Sequence, residues 1–160
     1  MLSARDRIKQ PEELKEILNS IKKSVVFTNG CFDILHIGHL RYLEEAKKLG
    51  DILVVGVNSD SSVKRLKGDK RPINRLSERM EMLAGLKPVD YVTYFDEDTP
   101  YNLIKFLAPD ILVKGGDWKA NEIVGSDIVL EKGGKVLSLN FEDNFATTNT
   151  IEEIIKRYCK

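Results

Sequence analysis

Apolar positions along the chain fall into two alternating kinds: short continuous runs, and positions that recur every three or four residues. The runs lie at about 24–29 (with Val25, Val26 and Phe27), at Asp51–Val57, at Tyr91–Phe95, at Asp110–Val113 and at Lys135–Leu139. Runs without polar alternation predict strands covered on both faces. The recurring positions predict helices between them. Leu14, Ile17, Leu18 and Ile21 share one face of a helix over 11–22, which Pro11 opens. A second helix runs from His36 to Leu49 and stops at Gly50. Asn58-Ser59-Asp60 opens a short third helix, and Ser77 caps a fourth that carries Met80, Leu83, Ala84 and Leu86. Thr99-Pro100 starts a fifth through Leu103, Ile104 and Leu107. A sixth covers 126–132, before Gly133-Gly134. The last spans Asn149–Tyr158, with Asn149 and Glu152 spaced as a capping box and Ile151, Ile154 and Ile155 turned to the core.

Five strand–helix rounds with short connections predict an α/β fold: a single-domain, doubly wound, Rossmann-like parallel five-stranded sheet with helices on both faces. The single domain takes in residues 1–160, with the first helix leading into a core over 24–158. On such sheets ligands bind at the carboxyl ends of strands. The polar motifs follow the first, second, fourth and fifth strands, so they meet on one edge and form one site.

Composition narrows the partners. The 25 basic and 25 acidic residues cancel, which leaves no basic field to hold DNA or RNA. No apolar run approaches the roughly 20 residues that span a bilayer, and the amino terminus lacks the apolar centre of a signal peptide; a cytoplasmic location with no membrane partner is expected. Cys31 and Cys159 are the only cysteines, too few for a disulfide framework or a zinc motif. Cys31 reads as a small apolar filler rather than a reactive thiol.

The candidate chemistry concentrates in residues 24–41. A buried strand ends in the turn Thr28-Asn29-Gly30 and feeds a helix that begins near His36-Ile37-Gly38-His39. A strand, a glycine turn and a helix start present N–H groups and a positive dipole end to an anion. His36 and His39, the only two histidines, share a helix face and reach one phosphate. A zinc pair would need a third ligand, and none of the right type is near. Gly38 removes a side chain between them, which lets a phosphate approach the backbone. Imidazole donors at that point stabilise charge moving onto a leaving pyrophosphate. Lys67 lies in a polar loop with Lys64, Lys70 and Arg71, where an ammonium can bridge two phosphates. Lys114-Gly115-Gly116-Asp117-Trp118 follows a strand, its glycines permitting close approach by a base or ribose; Asp117 suits the acceptor sugar. Thr147 and Thr148 precede the last helix and offer a second anion site. Arg41 and Arg79 are placed to meet the acceptor or the phosphates, and read more simply as helix-surface charges.

The set His-x-Gly-His after a strand with Asn-Gly-x-Phe-Asp resembles the nucleotidyltransferase superfamily, over about residues 24–155. Val57-Asn58-Ser59-Asp60, Lys67-Gly68-Asp69, Arg71-Pro72-Ile73-Asn74, Glu78-Arg79-Met80, Val113–Trp118 and Leu139–Asp143 look closest to one branch. That branch is the adenylyltransferase domain of the bifunctional heptose-phosphate kinase/adenylyltransferase of lipopolysaccharide synthesis. The resemblance implies that Thr28, Asn29, Gly30, Phe32, His36, Gly38, His39, Lys114, Gly115, Thr147 and Thr148 hold the nucleotide. It implies that Asp33, Asn58, Lys67, Asp117 and Trp118 face the acceptor, and that His36, His39 and Lys67 act in catalysis. The implied reaction moves AMP from ATP to D-glycero-β-D-manno-heptose 1-phosphate, giving an ADP-heptose and pyrophosphate. Mg²⁺ would come with ATP, held by substrate oxygens and water rather than by protein ligands. A homodimer and a stand-alone enzyme without the kinase half are further expectations. The branch has Gly-Cys-Ser-Thr-Thr where this chain has Asn144-Phe145-Ala146-Thr147-Thr148, so one hydroxyl is missing. A cytidylyltransferase acting on glycerol 3-phosphate shares Gly-Asp-Trp but carries an arginine where this chain has Phe141. A non-catalytic nucleotide-binding module is the rival from another class; the intact histidines and Lys67 weigh against it.

Overall fold

The five apolar runs are strands β1 (Val25–Gly30), β2 (Ile52–Asn58), β3 (Tyr91–Phe95), β4 (Ile111–Gly115) and β5 (Lys135–Leu139) of a computed structural model that describes residues 3–140 and 145–159. They form one sheet in the order β3-β2-β1-β4-β5, every neighbouring pair parallel. Helices α1 (Pro11–Ser20), α2 (Ile37–Lys47), α3 (Asp60–Lys67), α4 (Leu76–Ala84), α5 (Tyr101–Leu107), α6 (Ser126–Glu131) and α7 (Thr147–Tyr158) connect and follow them. The doubly wound α/β expectation holds.

Strand parity explains why the runs have no polar alternation. Val26, Leu53, Val55, Val57, Val92, Ile111 and Val113 pack on one face with Leu43, Ala46, Leu83 and Ala84 of α2 and α4. Val25, Phe27, Ile52, Val54 and Leu112 point the other way, against Leu14, Leu18, Leu103, Ile104, Leu107 and Val129 of α1, α5 and α6. Successive strand residues face opposite layers, and both layers are apolar. The edge at β3 is covered by the segment before α1, where Ile8 bridges Val92 and Lys9 N–H donates to Val92 O at 2.9 Å, which blunts an open ladder.

The chain winds from β1 outward to β3, then crosses to β4 on the other side of β1. The strand order therefore reverses between β1 and β4, and a crevice opens there at the carboxyl ends.

Several local expectations need correction. Helix α4 starts at Leu76 with Arg75 as N-cap, so Ser77 lies inside it; the cap is made by Glu78, whose Oε2 accepts the Arg75 N–H at 2.9 Å. Thr99 stands outside α5, whose N-cap is Pro100. Helix α7 begins at Thr147, two residues before the predicted start, with Ala146 as N-cap and no side-chain capping bond. Ile154 and Ile155 of α7 are 50% and 53% exposed rather than in the core. The physical reason is placement: Thr147 Oγ1 donates to Ile34 O at 3.1 Å, which seats α7 beside the loop after β1, off the sheet faces. Arg79, read as a surface charge, is 1% exposed. Phe141 and Asn144 lie outside the described residues.

Candidate active site

The crevice is a cleft of about 810 Å³ whose walls include Asn29, Gly30, Phe32, Asp33, His36, His39, Asn58, Lys67, Lys114, Gly115, Thr147 and Thr148. Twelve of the sixteen residues singled out in the sequence thus meet in one place. Thr28, Gly38, Asp117 and Trp118 do not line it.

Strand β1 supplies the floor, and the turn after it brings Phe32 back over the strand end. Phe32 holds a left-handed backbone at φ 48°, a conformation that costs a non-glycine residue free energy and concentrates at working sites. Its buried ring lies 5.3 Å from the His39 ring. His39 in turn stacks on His36, ring centroids 3.8 Å apart at 24°, and Phe145 follows at 6.3 Å from His36. The histidines are thus clamped in an aromatic column. His36 is the N-cap of α2, and its backbone N–H donates to His39 Nδ1 at 3.3 Å. That bond assigns the proton of a neutral His39 to Nε2, the nitrogen left to serve a ligand. Burial, then the neighbouring His36, pull His39 down to about 4; burial also lowers His36. Both rings are therefore neutral near pH 7 before a ligand arrives.

Gly38 acts otherwise than expected. A Cβ there would stand 2.8 Å from Phe145 Cβ and 3.0 Å from His36 Cε1. The glycine is buried, and the room left by its missing side chain is taken by the aromatic column. Thr28 is also beneath the site: it is fully buried, and its hydroxyl shares a 2.6 Å hydrogen bond with Tyr42 Oη. Burial pushes the Tyr42 phenol up to about 12, so the pair is neutral and structural.

On the β2 side two buried ionic groups brace the loops. The side chain of Asp33 is fully buried and accepts from Arg71 Nε at 2.6 Å, from Ile73 N–H at 2.8 Å and from Asn74 N–H at 2.8 Å. Burial pushes its carboxyl up, but the Asn74 and Ile73 amides and Arg71 outweigh this and hold it below the usual range. Asp33 is therefore an anchor for residues 71–74 at the wall of the cleft. Arg79 donates to Asn74 O at 3.0 Å, Cys31 O at 2.6 Å, Asn58 O at 2.8 Å and Asp60 Oδ1 at 2.8 Å. One guanidinium thus ties the ends of β1 and β2 to the start of α3 and the loop before α4. Asn58 is 3% exposed, and its amide donates to Ser62 Oγ at 3.0 Å. Lys67 closes α3, exposed at the cleft mouth. Burial raises the Cys31 thiol against Lys67, Arg79 and Arg71, in keeping with a neutral filler.

Strand β4 delivers Lys114 and Gly115 to the opposite wall. Lys114 Nζ sits 4.3 Å over the Trp118 ring, and Trp118 Nε1 donates to Gly115 O at 3.2 Å. Gly116 has φ 117°, and a Cβ there would stand 2.8 Å from Trp118 Nε1; only glycine lets the indole fold under the strand end. Trp118 is thus a platform for Lys114 rather than a wall of the cleft. Beyond it, Ile123 and Val124 add apolar surface. The first N–H groups of α7 have no side-chain cap and lie beside Thr147 and Thr148 in the cleft, a ready anion seat next to that of α2. The hydroxyl proton of Thr147 goes to Ile34 O, which leaves that of Thr148 for a ligand.

Asp98, Thr99 and Pro100, after β3, also line the cleft. Sequence reasoning read Thr99-Pro100 as a helix start only, although the carboxyl-end rule applies to β3 as to the other strands. Among the described residues no three His, Cys, Asp or Glu side chains converge as metal ligands, and no helix is long and apolar enough to cross a membrane.

The chain is 56% identical over 145 residues to the bifunctional protein HldE of Marinomonas sp. strain MWYL1, an overlap of 87% of this chain and 30% of that protein. It is 58% identical over 149 residues to HldE of Campylobacter concisus, covering 92% of this chain and 31% of the relative. It therefore spans about a third of the length of these curated relatives. Among solved structures it is similar to a lipopolysaccharide core biosynthesis protein from Thermoplasma volcanium GSS1, with a TM-score of 0.61, 35% identity, and coverage of 75% of this chain and 97% of that one. The pantoate-beta-alanine ligase of Francisella tularensis shares the fold, with a TM-score of 0.62 at 16% identity over 93% of this chain and 78% of that one. A profile of cytidylyltransferase-like proteins matches residues 27–154, and the chain belongs to that family.

Proposed function

We propose that the chain is a nucleotidyltransferase that moves AMP from ATP to D-glycero-β-D-manno-heptose 1-phosphate, releasing pyrophosphate and forming an ADP-heptose. The observation that carries this reading is the convergence, in one cleft, of the stacked histidines, Lys67, Lys114 and the starts of α2 and α7. Such a cleft offers many donors for phosphate oxygens, and burial raises the Cys31 thiol on its wall, which keeps it a neutral filler rather than a nucleophile. The relatives named above support the sugar-phosphate acceptor.

In this mechanism a phosphate oxygen of the acceptor, already an anion, attacks the α-phosphorus of ATP in line with the departing pyrophosphate, so the protein supplies position and charge stabilisation. Nε2–H of His39 and the His36 ring meet the triphosphate as negative charge moves to the leaving group. Lys67, at the cleft mouth, bridges the α-phosphate and the acceptor phosphate. Lys114, steadied over Trp118, and the α7 amides hold the far phosphates. Asp33 and Arg79 keep the loops in register. Mg²⁺ would come with the triphosphate and neutralise part of its charge; the chain's carboxylates fit this, since Asp33 is fully occupied by protein donors and Asp98 pairs with Arg65 at 2.7 Å. Metal coordination is thus left to substrate oxygens and water.

The test is an acceptor screen. Pyrophosphate release from ATP should require heptose 1-phosphate. Turnover with CTP and glycerol 3-phosphate instead would overturn the substrate assignment. Tight nucleotide binding without turnover on any acceptor would favour a non-catalytic module.

A further inference from the structure

One guanidinium on the cleft wall is held in place without being used up. Arg71, in the loop between α3 and α4, lines the cleft, and its side chain is only 15% exposed. Its Nε donates to Asp33 Oδ2 at 2.6 Å. Both Nη groups, with two N–H bonds each, lack an acceptor among the described residues. Arg79, a few ångströms of chain away in the same loop system, shows the usual outcome for a buried guanidinium: its donors go to Asn74, Cys31, Asn58 and Asp60. Arg71 keeps its outer edge for something that the chain does not supply.

The surroundings fix the charge of that partner. Burial raises the Cys31 thiol, and Lys67, Arg79 and Arg71 act against it, so three cations lie close to one point of the cleft wall. Arg79 is spent. Of the carboxylates on the wall, Asp33 is taken by Arg71 and two amides, and Asp98 pairs with Arg65 at 2.7 Å. The Lys67 ammonium and the outer edge of Arg71 are left for an anion. The arginine is also set in advance: the carboxylate it leans on is gripped by the Ile73 and Asn74 amides, and Asn74 Nδ2 donates to Asp33 O at 2.8 Å. A fork fixed in this way loses little rotamer freedom on binding and matches two oxygens of one phosphate.

We propose that Arg71 clamps the phosphate of the acceptor by two of its terminal oxygens and so presents the third to the α-phosphorus of the nucleotide. This rests on the nucleotidyl transfer proposed above. The third oxygen forms the new bond to the α-phosphorus while the bond to pyrophosphate breaks and its electron pair leaves with pyrophosphate; no proton has to move. Arg71 thereby sets the acceptor class. A phosphomonoester has three terminal oxygens, whereas a phosphodiester has two and cannot be both clamped and reactive. Asp33 serves the acceptor at one remove, through the arginine it holds, and the nucleotide keeps to Lys114 and α7 on the opposite wall.

Steady-state kinetics on two variants of the full chain test this. Arg71→Lys keeps a cation beside Asp33 but has no second edge. It should raise the KM for heptose 1-phosphate about 10-fold to 100-fold, the worth of a charged hydrogen-bond pair, with the KM for ATP and the urea midpoint little changed. Arg71→Ala combined with Asp33→Asn removes the cation together with the buried charge, and the remaining side-chain oxygen can still accept from the Ile73 and Asn74 amides. In that variant millimolar guanidinium ion should restore much of the acceptor affinity, and methylammonium should not. An unchanged acceptor KM, an equal rise for both substrates, or equal rescue by the two ions would overturn the role of Arg71 and leave nucleotidyl transfer standing. The same KM split with a different phosphomonoester would uphold Arg71 and overturn only the choice of heptose. A wild-type chain that turns over no phosphomonoester would overturn the transfer reading and this proposal with it.

Discussion

On the β2 side of the cleft, Asp33 is buried and held by Arg71, Ile73 and Asn74, and Arg79 donates four hydrogen bonds to three carbonyls and one carboxylate. On the β4 side, Lys114 rests on an exposed indole, α7 starts without a side-chain cap, and Thr148 faces the cleft. The same chain builds one wall with its polar groups already bonded and the other with donors still to be met. Buried ionic groups tolerate no missing partner, so the first wall is fixed by folding. Helix-start amides and exposed cations can wait for an anion at little cost. On the proposed function the contrast gives shape to the first wall, apart from Lys67 at its mouth and the outer edge of Arg71, and open phosphate donors to the second, with the histidine pair between them.

Four experiments would break or sharpen that contrast. The largest effect is expected at Arg79. Arg79→Met strands the carbonyls of Cys31, Asn58 and Asn74 and should cost on the order of 3 kcal/mol or more in stability, read by urea unfolding. An unchanged midpoint would mean that the first wall is not held this way. Next is His39→Ala, which should lower turnover by about 10²-fold while shifting the urea midpoint little; a near-normal rate would remove the histidine pair from the mechanism.

The third experiment uses pH. His39 is pulled to about 4 in the folded chain, below its ordinary value of about 6.5, so between these limits the unfolded chain binds more protons. Stability from this group is complete above pH 6.5 and is lost as pH falls toward 4, and the lowered His36 adds in the same sense. Urea unfolding from pH 7 to 4 should show that decline, and His39→Gln should flatten it. A triphosphate favours the charged rings, so ATP binding should take up protons near pH 6, seen as a buffer-dependent heat; no such dependence would mean the phosphates do not reach the rings. The smallest effects belong to the second wall. Thr148→Ala and Trp118→Leu should each raise the KM for ATP a few-fold with little change in the urea midpoint, a cation over an exposed ring being worth about 0.5–1 kcal/mol. Marked unfolding of either variant would erase the difference between the walls.

Much of this was legible in the residues. Continuous apolar runs gave the buried parallel strands, and the carboxyl-end rule gathered Asn29, His36, His39, Asn58, Lys67, Lys114 and Thr148 at one edge. Burial of charge was not legible. Nothing in Glu78-Arg79-Met80 distinguishes a buried guanidinium from a surface one, because its partners are backbone carbonyls of distant loops. The bracing role of Asp33 was hidden for the same reason: its donors include amides forty residues on. Gly38 and Gly116 were read as room for a ligand, whereas side chains of the chain itself, Phe145 and Trp118, occupy that room. The apolar stripe of α7 was visible, but periodicity alone cannot say whether the fold covers it, and Ile154 and Ile155 stay half exposed.

The central claim is transfer of the α-phosphoryl nucleotide through this cleft, and positional labelling tests it most directly. With ATP labelled at the α-phosphorus and heptose 1-phosphate as acceptor, the label should appear in a sugar nucleotide, while a γ-label leaves in pyrophosphate. An α-label that stays in ADP, with the γ-label on the sugar or in free phosphate, would contradict the account.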